Sequence, residues 1–165
     1  MGSCNERKDL HMIETPQIVQ TTEHAAAVIH LTIPRSEIQR MMGPAIGEVM
    51  AAVSSQGIGP AGAVFSNHFR MAPTEFDFEV GVPVKGVVKP IGRVKPGKLP
   101  AARVARTVYH GGYEGLGAAW GEFVAWAKEE GPTTGPGLWE VYVKGPESGP
   151  DPAGWKTELN LPLVE

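Results

Sequence analysis

Three glutamates stand in stretches whose residues alternate in the manner of β-strands. They are Glu79 in FDFEVGVPV (76–84), Glu140 in LWEVYVK (138–144) and Glu158 in WKTELNLPL (155–163). Glutamate is disfavoured inside strands, because a pleated, half-buried surface suits β-branched and aromatic residues better. A carboxylate at such a place could act as a general acid or base, or could pair with a positively charged ligand.

The first and last of these stretches match each other residue by residue. Glu79 aligns with Glu158, Pro83 aligns with Pro162, and the valines of the first stretch align with leucines of the last. Two strands of one pattern, one in each half of the chain, indicate an internal duplication that places a carboxylate at equivalent positions.

Alternation along LWEVYVK places Glu140 and Tyr142 on one face of the strand and Trp139 on the other. In the last strand, Glu158 and Asn160 share a face. If the two strands form an antiparallel hairpin, we expect Glu140 or Tyr142 to lie beside Glu158. A carboxylate between aromatic walls suits a planar, apolar cation. The plainer alternative is that these glutamates lie on a solvated outer face of the sheet.

Other kinds of chemistry have little support in the sequence. The five histidines are scattered without HxH or HxxxH spacing, and the single cysteine, Cys4, lies in a polar N-terminal segment, so no metal site is expected. No glycine-rich phosphate-binding motif and no GxSxG motif is present, so no cofactor is expected either.

A repeat of secondary structure must position the glutamates. The segments GPAIGEVMAAVSSQG (43–57) and GAAWGEFVAWAKEEG (117–131) share six of fifteen residues without a gap. Each is predicted to be mainly helical, with one strand before it and two strands after it. Each half of the chain is therefore predicted to be a β-α-β-β module.

The predicted domain organisation follows from this repeat. We expect a leader over 1–15 and one domain over 16–164, with modules at about 16–84 and 101–164 joined by a connector over 85–100 that carries a short edge strand. The fold class is α+β with pseudo-two-fold symmetry: one antiparallel sheet, two helices on one face and a central ligand cleft.

Composition limits the class of protein. The 165 residues are 42% hydrophobic and 20% charged, which is typical of a folded chain, and the net charge of −3 gives no basic surface for nucleic acid. No secretory signal and no apolar run long enough to span a membrane is present. We expect a cytoplasmic protein with no membrane association.

Three runs resemble the GyrI-like small-molecule-binding domain, which is also the effector-binding part of AraC-type and MerR-type multidrug-responsive regulators. They are TVYHGGYEGLGAAWGEFVAWAKEEG (107–131), GPGLWEVYVKGP (135–146) and DPAGWKTELNLPL (151–163). The resemblance extends over residues 16–164, and the fold it implies is the same tandem β-α-β-β pair.

The resemblance also implies a central cleft for bulky aromatic or cationic compounds, anchored by Glu158. The other implied binding residues are Glu140, Tyr142, Trp139, Trp120 and Tyr109. The chain resembles the stand-alone members of the family. Because only about fifteen residues precede the domain, too few for a helix-turn-helix, we expect no direct DNA binding.

Three functions remain open at this stage. The cleft could bind toxic compounds and so protect the cell, or it could be the active site of a hydrolase that opens the cyclopropane ring of alkylating natural products. In the hydrolase, Glu158 or Glu140 would act as acid or base with Tyr142 beside it. A gyrase-interacting or other protein-binding module is the third possibility.

Overall fold

The computed structural model describes residues 13–71, 74–131, 133–135, 137–145, 149, 151 and 154–164, so most of the predicted leader, with Cys4, lies outside the described residues. The elements are β1 (Gln17–Gln20), β2 (His24–Pro34), α1 (Ile38–Gln56), β3 (Phe65–Met71), β4 (Glu75–Pro83), β5 (Lys95–Leu99), β6 (Arg103–His110), α2 (Leu116–Glu130), β7 (Leu138–Lys144) and β8 (Lys156–Pro162). A short 3-10 turn, Arg35–Glu37 or Tyr113–Gly115, leads into each helix.

The two helices use equivalent residues of the repeat. Their buried side chains recur every four residues: Ala45, Val49 and Val53 in α1, and Ala119, Phe123 and Ala127 in α2. This spacing forms one apolar stripe along a helix. Gly57 and Gly131 follow the helices with φ angles of 68° and 95°, which lie in the left-handed region where glycine is favoured. The helix prediction is confirmed at both places.

All eight strands belong to one antiparallel sheet in the order β1-β6-β8-β7-β3-β4-β2-β5. The second half of the chain supplies β6, β8 and β7, and the first half supplies β3, β4 and β2. The halves meet at the pairing of β3 with β7, where Ser66 lies opposite Glu140. The predicted fold class, α+β with two modules related by a pseudo-two-fold axis, is confirmed.

Paired residues lie on the same face of a sheet, so the register shows where the helices lie. One row across the sheet is Ile29–Val80–Ser66–Glu140–Leu159–Thr107, and the row on the other face is Val28–Gly81–Phe65–Val141–Glu158–Val108. Ile29 and Val80 belong to the core under α1, and Leu159 belongs to the core under α2. Both helices therefore cover the face that carries the first row.

The two edge strands are exchanged between the modules. The sequence predicted a single β-rich stretch over 17–31, but Thr21 to Glu23 divide it, and β1 pairs with β6 of the second module whereas β2 stays in the first. In the same way, the strand predicted in the connector is β5, which pairs with β2. The outer edge strand of the second module is therefore β1, which comes before the first module in the chain, and that of the first module is β5, which comes before the second module.

This exchange requires the sheet to curl. Three residues between β1 and β2 span at most about 14 Å, whereas six strand spacings in a flat sheet amount to about 29 Å. The two links meet where Thr21 N–H donates to the carbonyl oxygen of Ala102 at 2.8 Å and Ala102 N–H donates to Thr21 Oγ1 at 2.9 Å. We call Gln20–Glu23 and Leu99–Ala102 the crossing segments.

The crossing segments lie over the helix-free face of the sheet. Leu99 packs there against a small core of Ala26, Val28 and Phe65, which Val141 also joins. The helix-free face is thus the inside of the curl. Among the described residues, neither helix combines the length and the apolar character needed to cross a membrane.

Candidate functional site

The central strands carry polar side chains on the face that the helices cover. α1 and α2 pack in separate cores, and neither core contains a residue of the other helix. Between the cores lie Ser66 and His68 of β3 and Glu140 and Tyr142 of β7, with Trp120 of α2 reaching in from one side. We call these five residues the seam cluster.

The seam cluster lies on the pseudo-two-fold axis. The alignment that places Gly43 on Gly117 also places Ser66 on Glu140 and His68 on Tyr142. Each strand has an irregular pairing just after its second polar residue, after His68 in β3 and after Tyr142 in β7. Such bulges bend a strand and redirect its side chains, and they are common beside binding sites. The duplication therefore places the pair Ser66 and His68 and the pair Glu140 and Tyr142 at equivalent positions on two neighbouring strands.

Glu140 is the centre of the cluster. It is only 8% exposed, and its carboxylate accepts hydrogen bonds from Trp120 and Tyr142, with the Ser66 hydroxyl also close to it. Trp120 Nε1 donates to Oε2 at 2.6 Å, while the hydroxyls of Tyr142 and Ser66 approach Oε1 at 2.7 Å and 3.4 Å. No cationic side chain in the described ranges forms an ion pair with Glu140. The carboxylate is therefore held by neutral donors alone.

Burial raises the pKa of the Glu140 carboxyl, and the hydrogen bonds from Trp120, Tyr142 and Ser66 oppose that rise. Burial and the neighbouring Glu140 hold the pKa of Tyr142 well above its usual value. For His68, burial and then the charge of Arg35 lower the pKa to about 4. At neutral pH, Tyr142 and His68 are therefore uncharged, and Glu140 is the group in the cluster that can change charge.

A chain of hydrogen bonds joins His68 to Glu140. The Ser66 hydroxyl lies 3.2 Å from His68 Nε2 and 2.7 Å from the Tyr142 hydroxyl, which donates to Glu140. With Glu140 ionised, one direction of donation satisfies every link: His68 Nε2–H to Ser66, Ser66 to Tyr142, and Tyr142 to Glu140. With Glu140 protonated, the direction reverses, so the chain can accommodate either charge state.

Aromatic rings surround the cluster and connect it to the surface. Tyr113, which is 36% exposed, lies edge-on to Tyr142 with ring centroids 5.8 Å apart, and its ring is 5.2 Å from that of Trp155. On the other side, His68 stacks on Phe78 at 4.8 Å. These rings present π faces of the kind that bind organic cations.

The predicted proximity of Glu158 to Glu140 or Tyr142 is wrong. Glu158 pairs with Val141, and Glu140 pairs with Leu159, so the two carboxylates point to opposite faces of the sheet. On the helix-free face, Glu158 Oε1 lies 3.4 Å from Arg106 Nε and accepts a hydrogen bond from Asn160 at 3.2 Å. The alternation of faces was predicted correctly, but the register that pairs the strands could not be inferred from it.

Two other predicted site residues also lie away from Glu140. Trp139 is on the helix-free face, opposite Asn160. Tyr109 is on the helix-covered face but donates its hydroxyl to the carbonyl oxygen of Gly112 at 2.6 Å. Glu79, the counterpart of Glu158, likewise faces away from the helices and lies 3.8 Å from Lys95. Of the residues predicted for the cleft, the structure brings together Glu140, Tyr142 and Trp120.

The sequence analysis missed Ser66, His68 and Tyr113. A signal for the first two was present, because the repeat aligns them with Glu140 and Tyr142, and they occupy alternate positions of FSNHFRM in β3. Tyr113 follows the turn at Gly111–Gly112, and no strand or helix pattern marked it. Within the described ranges, no group of three His, Cys, Asp or Glu side chains could hold a metal ion.

The fold and the buried carboxylate define a class of protein: a domain made of two β-α-β-β modules that meet at a polar seam. The sequence profile of the GyrI-like small molecule binding domain matches residues 14–164. The chain therefore belongs to the GyrI-like family. No sequence among curated proteins matches it.

Solved structures of low sequence identity share this fold. The C-terminal domain of EcmrR has a TM-score of 0.79 at 20% identity and covers 92% of this chain and 98% of its own. EcmrR in a complex with DNA has a TM-score of 0.82 at 19% identity over 99% of this chain, which spans only 62% of the EcmrR chain.

Two further structures are similar in fold. SAV2435 bound to tetraphenylphosphonium has a TM-score of 0.67 at 12% identity, with 92% of this chain and 94% of that chain covered. A hydrolase from Listeria innocua has a TM-score of 0.61 at 12% identity, with 98% of each chain covered. At these identities, the similarity shows the fold and not the ligand.

Proposed function

We propose that this protein binds bulky aromatic cations at the seam cluster, with Glu140 as the charge partner of the ligand. The observation that carries the proposal is a buried carboxylate that accepts hydrogen bonds from two neutral donors, Trp120 and Tyr142, and has no cationic partner in the described chain. An ionised carboxylate away from water is costly unless it is paired. A cationic ligand supplies the missing charge.

The aromatic side chains favour the same class of ligand. Trp120 and Tyr142 touch the carboxylate directly, and Tyr113 continues the ring contacts to the surface. A delocalised cation with aryl groups can stack on these rings while its charge faces Glu140. Because Tyr113 is the exposed member of this path, entry of the ligand displaces Tyr113 from Tyr142.

The biological role that fits this chemistry is protection against toxic aromatic compounds in the cytoplasm. The net charge of −3 favours cations over anions at long range. The tetraphenylphosphonium bound to SAV2435, a protein of similar fold, is a ligand of the proposed class. In this role the protein sequesters the compound, and neither DNA nor a membrane is its partner.

Calorimetric titration with tetraphenylphosphonium tests the proposal. We expect saturable binding of one cation per chain, with neutral triphenylmethane-type compounds of similar size bound more weakly because they lack the charge that pairs with Glu140. Equal affinity for the cation and its neutral analogue would contradict the role of the carboxylate. Absence of binding to both would contradict the proposed ligand class.

The affinity for the cation should depend on pH through Glu140. Burial raises the pKa of the Glu140 carboxyl, so the neutral acid persists at higher pH than it does for an exposed glutamate. Cation binding needs the ionised form, so a proton must leave, and affinity falls as the pH is lowered through that raised pKa, by at most about tenfold per pH unit. Tyr142 and His68 do not contribute to this pH dependence. His68 has a pKa of about 4 and is neutral above that pH, and the pKa of Tyr142 is well above its usual value.

Tetraphenylphosphonium carries a permanent charge, so any pH dependence of its affinity belongs to the protein. The variant Glu140→Gln is the matched control and should bind with nearly constant affinity over the same pH range. A flat profile for the unaltered protein would show that Glu140 is already ionised throughout and that its burial does not govern binding.

A second candidate function is hydrolysis, and the raised pKa of Glu140 next to Tyr142 is the observation that favours it. Because burial raises the pKa of the Glu140 carboxyl, it keeps its proton to higher pH than an exposed glutamate does, and a protonated carboxyl can act as a general acid. It would protonate the carbonyl oxygen conjugated to a cyclopropane ring while water adds to a ring carbon and the ring bond breaks. The proton released by the added water then returns to the Glu140 carboxylate.

This candidate is tested by incubation with a cyclopropane-bearing alkylating compound and detection of the water adduct by mass spectrometry. We expect adduct formation to exceed the rate in buffer, to be lost in Glu140→Gln and to persist in Glu158→Gln, which alters the opposite face. Formation no faster than in buffer would exclude this hydrolysis and leave the binding function standing.

A further inference from the structure

A cavity lies on the helix-free face, on the other side of the sheet from the seam cluster. It has a volume of about 330 Å³. Trp139 and Val141 line it from β7, and the crossing segments line it at Thr22 and Pro100. Because side chains alternate along β7, Glu140 and Tyr142 point away from this cavity. The sheet therefore separates it completely from the proposed cation site.

Two opposite charges share the wall of this cavity. Arg106 and Glu158 both line it, and their side chains are 33% and 22% exposed. The amide of Asn160, which is fully buried, holds both in place: Arg106 Nε donates to its oxygen at 2.8 Å, and its nitrogen donates to Glu158 Oε1 at 3.2 Å. The pair is thus fixed by a buried side chain and not by a chance surface contact.

Part of each charged group is left for a ligand. In the part of the chain that the structure describes, the side-chain hydrogen bond of Arg106 uses Nε, and that of Glu158 uses Oε1. The two terminal amino groups of Arg106 and Oε2 of Glu158 therefore remain available beside the cavity. A planar guanidinium edge suits a carboxylate, and a free carboxylate oxygen suits an ammonium group.

We propose that this cavity binds a small zwitterion with an apolar or aromatic side chain, that is, a free α-amino acid. Its carboxylate would bind the terminal amino groups of Arg106, its ammonium group would bind Glu158 Oε2, and its side chain would pack on Trp139 and Val141. A cation alone would be repelled by Arg106 and an anion alone by Glu158, so the pair selects a molecule that carries both charges.

Size separates this ligand from the one proposed for the seam cluster. A cavity of about 330 Å³ lies at the lower end of the range of roughly 300–1,000 Å³ for small-molecule sites, which suits an amino acid and not a tetra-aryl cation. The zwitterion site does not depend on what the seam cluster binds. Trp120 and Trp139 provide separate reporters, because one touches Glu140 and the other lines this cavity.

The test uses the indole N–H resonances of Trp120 and Trp139, each assigned by its replacement with phenylalanine. L-phenylalanine at millimolar concentration should shift the Trp139 resonance and leave that of Trp120 in place. Phenethylamine lacks the carboxylate and 3-phenylpropanoate lacks the ammonium group, so each should bind at least about tenfold more weakly than phenylalanine.

Protein variants test the same two charges. Glu158→Gln and Arg106→Lys should each weaken phenylalanine binding by about tenfold, and Glu140→Gln should not.

Three results would overturn the zwitterion site. One is a Trp139 resonance that does not move at any concentration of phenylalanine, leucine or another apolar amino acid. Another is binding of the amine or the acid as tight as that of the amino acid. The third is unchanged affinity in both Glu158→Gln and Arg106→Lys while their spectra show a folded protein.

Discussion

Replacement of Glu140 by glutamine should reduce the affinity for tetraphenylphosphonium by about 30-fold or more, equivalent to about 2 kcal/mol. Glutamine keeps the shape of the side chain and an oxygen that can accept the hydrogen bond from Trp120, so the loss reports the charge. Glu140 is 8% exposed, and no cationic side chain of the described chain pairs with it, so the cation would be its charge partner. Titration calorimetry at neutral pH measures this difference directly.

The matched control is Glu158→Gln, which makes the same chemical change on the other face of the same sheet. We expect it to alter cation affinity by less than about twofold. Circular dichroism and thermal unfolding of both variants would show that they are folded. A large loss in Glu158→Gln with none in Glu140→Gln would move the cation site to the helix-free face and contradict the proposed function.

Replacement of Gly81 by alanine should lower the free energy of unfolding by about 3 kcal/mol, because the sheet leaves no room for a side chain there. A Cβ atom at Gly81 would lie 2.2 Å from the carbonyl oxygen of Ala27 and 2.7 Å from a methyl group of Val28. Neither neighbour can move freely, since one is backbone and the other is fully buried in β2. Urea unfolding monitored by tryptophan fluorescence measures the change.

Gly47 provides the control for this substitution. It lies in α1, where a Cβ atom would meet nothing within 4 Å. Gly47→Ala should raise the free energy of unfolding by about 0.5–1 kcal/mol, because alanine loses less conformational entropy than glycine in a helix. If Gly81→Ala were as stable as the unaltered protein, the close approach of β2 to β4 would be wrong, and with it the tight curl of this part of the sheet.

The elements and their duplication could be predicted from the sequence because they depend on local patterns. The apolar residues of both helices repeat every three or four positions, and Gly57 and Gly131 mark their ends. The similarity between 43–57 and 117–131 then predicted two modules, and two modules with one apolar face each must pair to bury it. These inferences required no knowledge of which strands are neighbours.

The carboxylate at the centre of the site could not be chosen in this way. Alternation correctly put Glu140 with Tyr142 and Glu158 with Asn160, but it did not say which of these faces the helices cover. That depends on the register between β7 and β8 and on the pairing of β7 with β3, which are tertiary properties. The match between Glu79 and Glu158 was real, yet both lie on the helix-free face.

The curl of the sheet also has no local signal. Thr21 to Glu23 form a three-residue interruption, and the sequence around them does not show that β1 leaves the first module to pair with β6. This exchange brings the crossing segments over Trp139 and Glu158 and so creates the cavity on the helix-free face. Of the three predicted residues that do not join the seam cluster, Trp139 and Glu158 therefore lie together in a different site, and Tyr109 does not.

A crystal structure of the protein with tetraphenylphosphonium would test the central claim most directly. We expect the cation between α1 and α2, with an aryl ring against Tyr142 or Trp120 and its phosphorus within about 6 Å of the Glu140 carboxylate. Tyr113 should have moved away from Tyr142. Density for the cation on the helix-free face beside Glu158, with the seam cluster unchanged, would contradict the assignment of Glu140 as the charge partner.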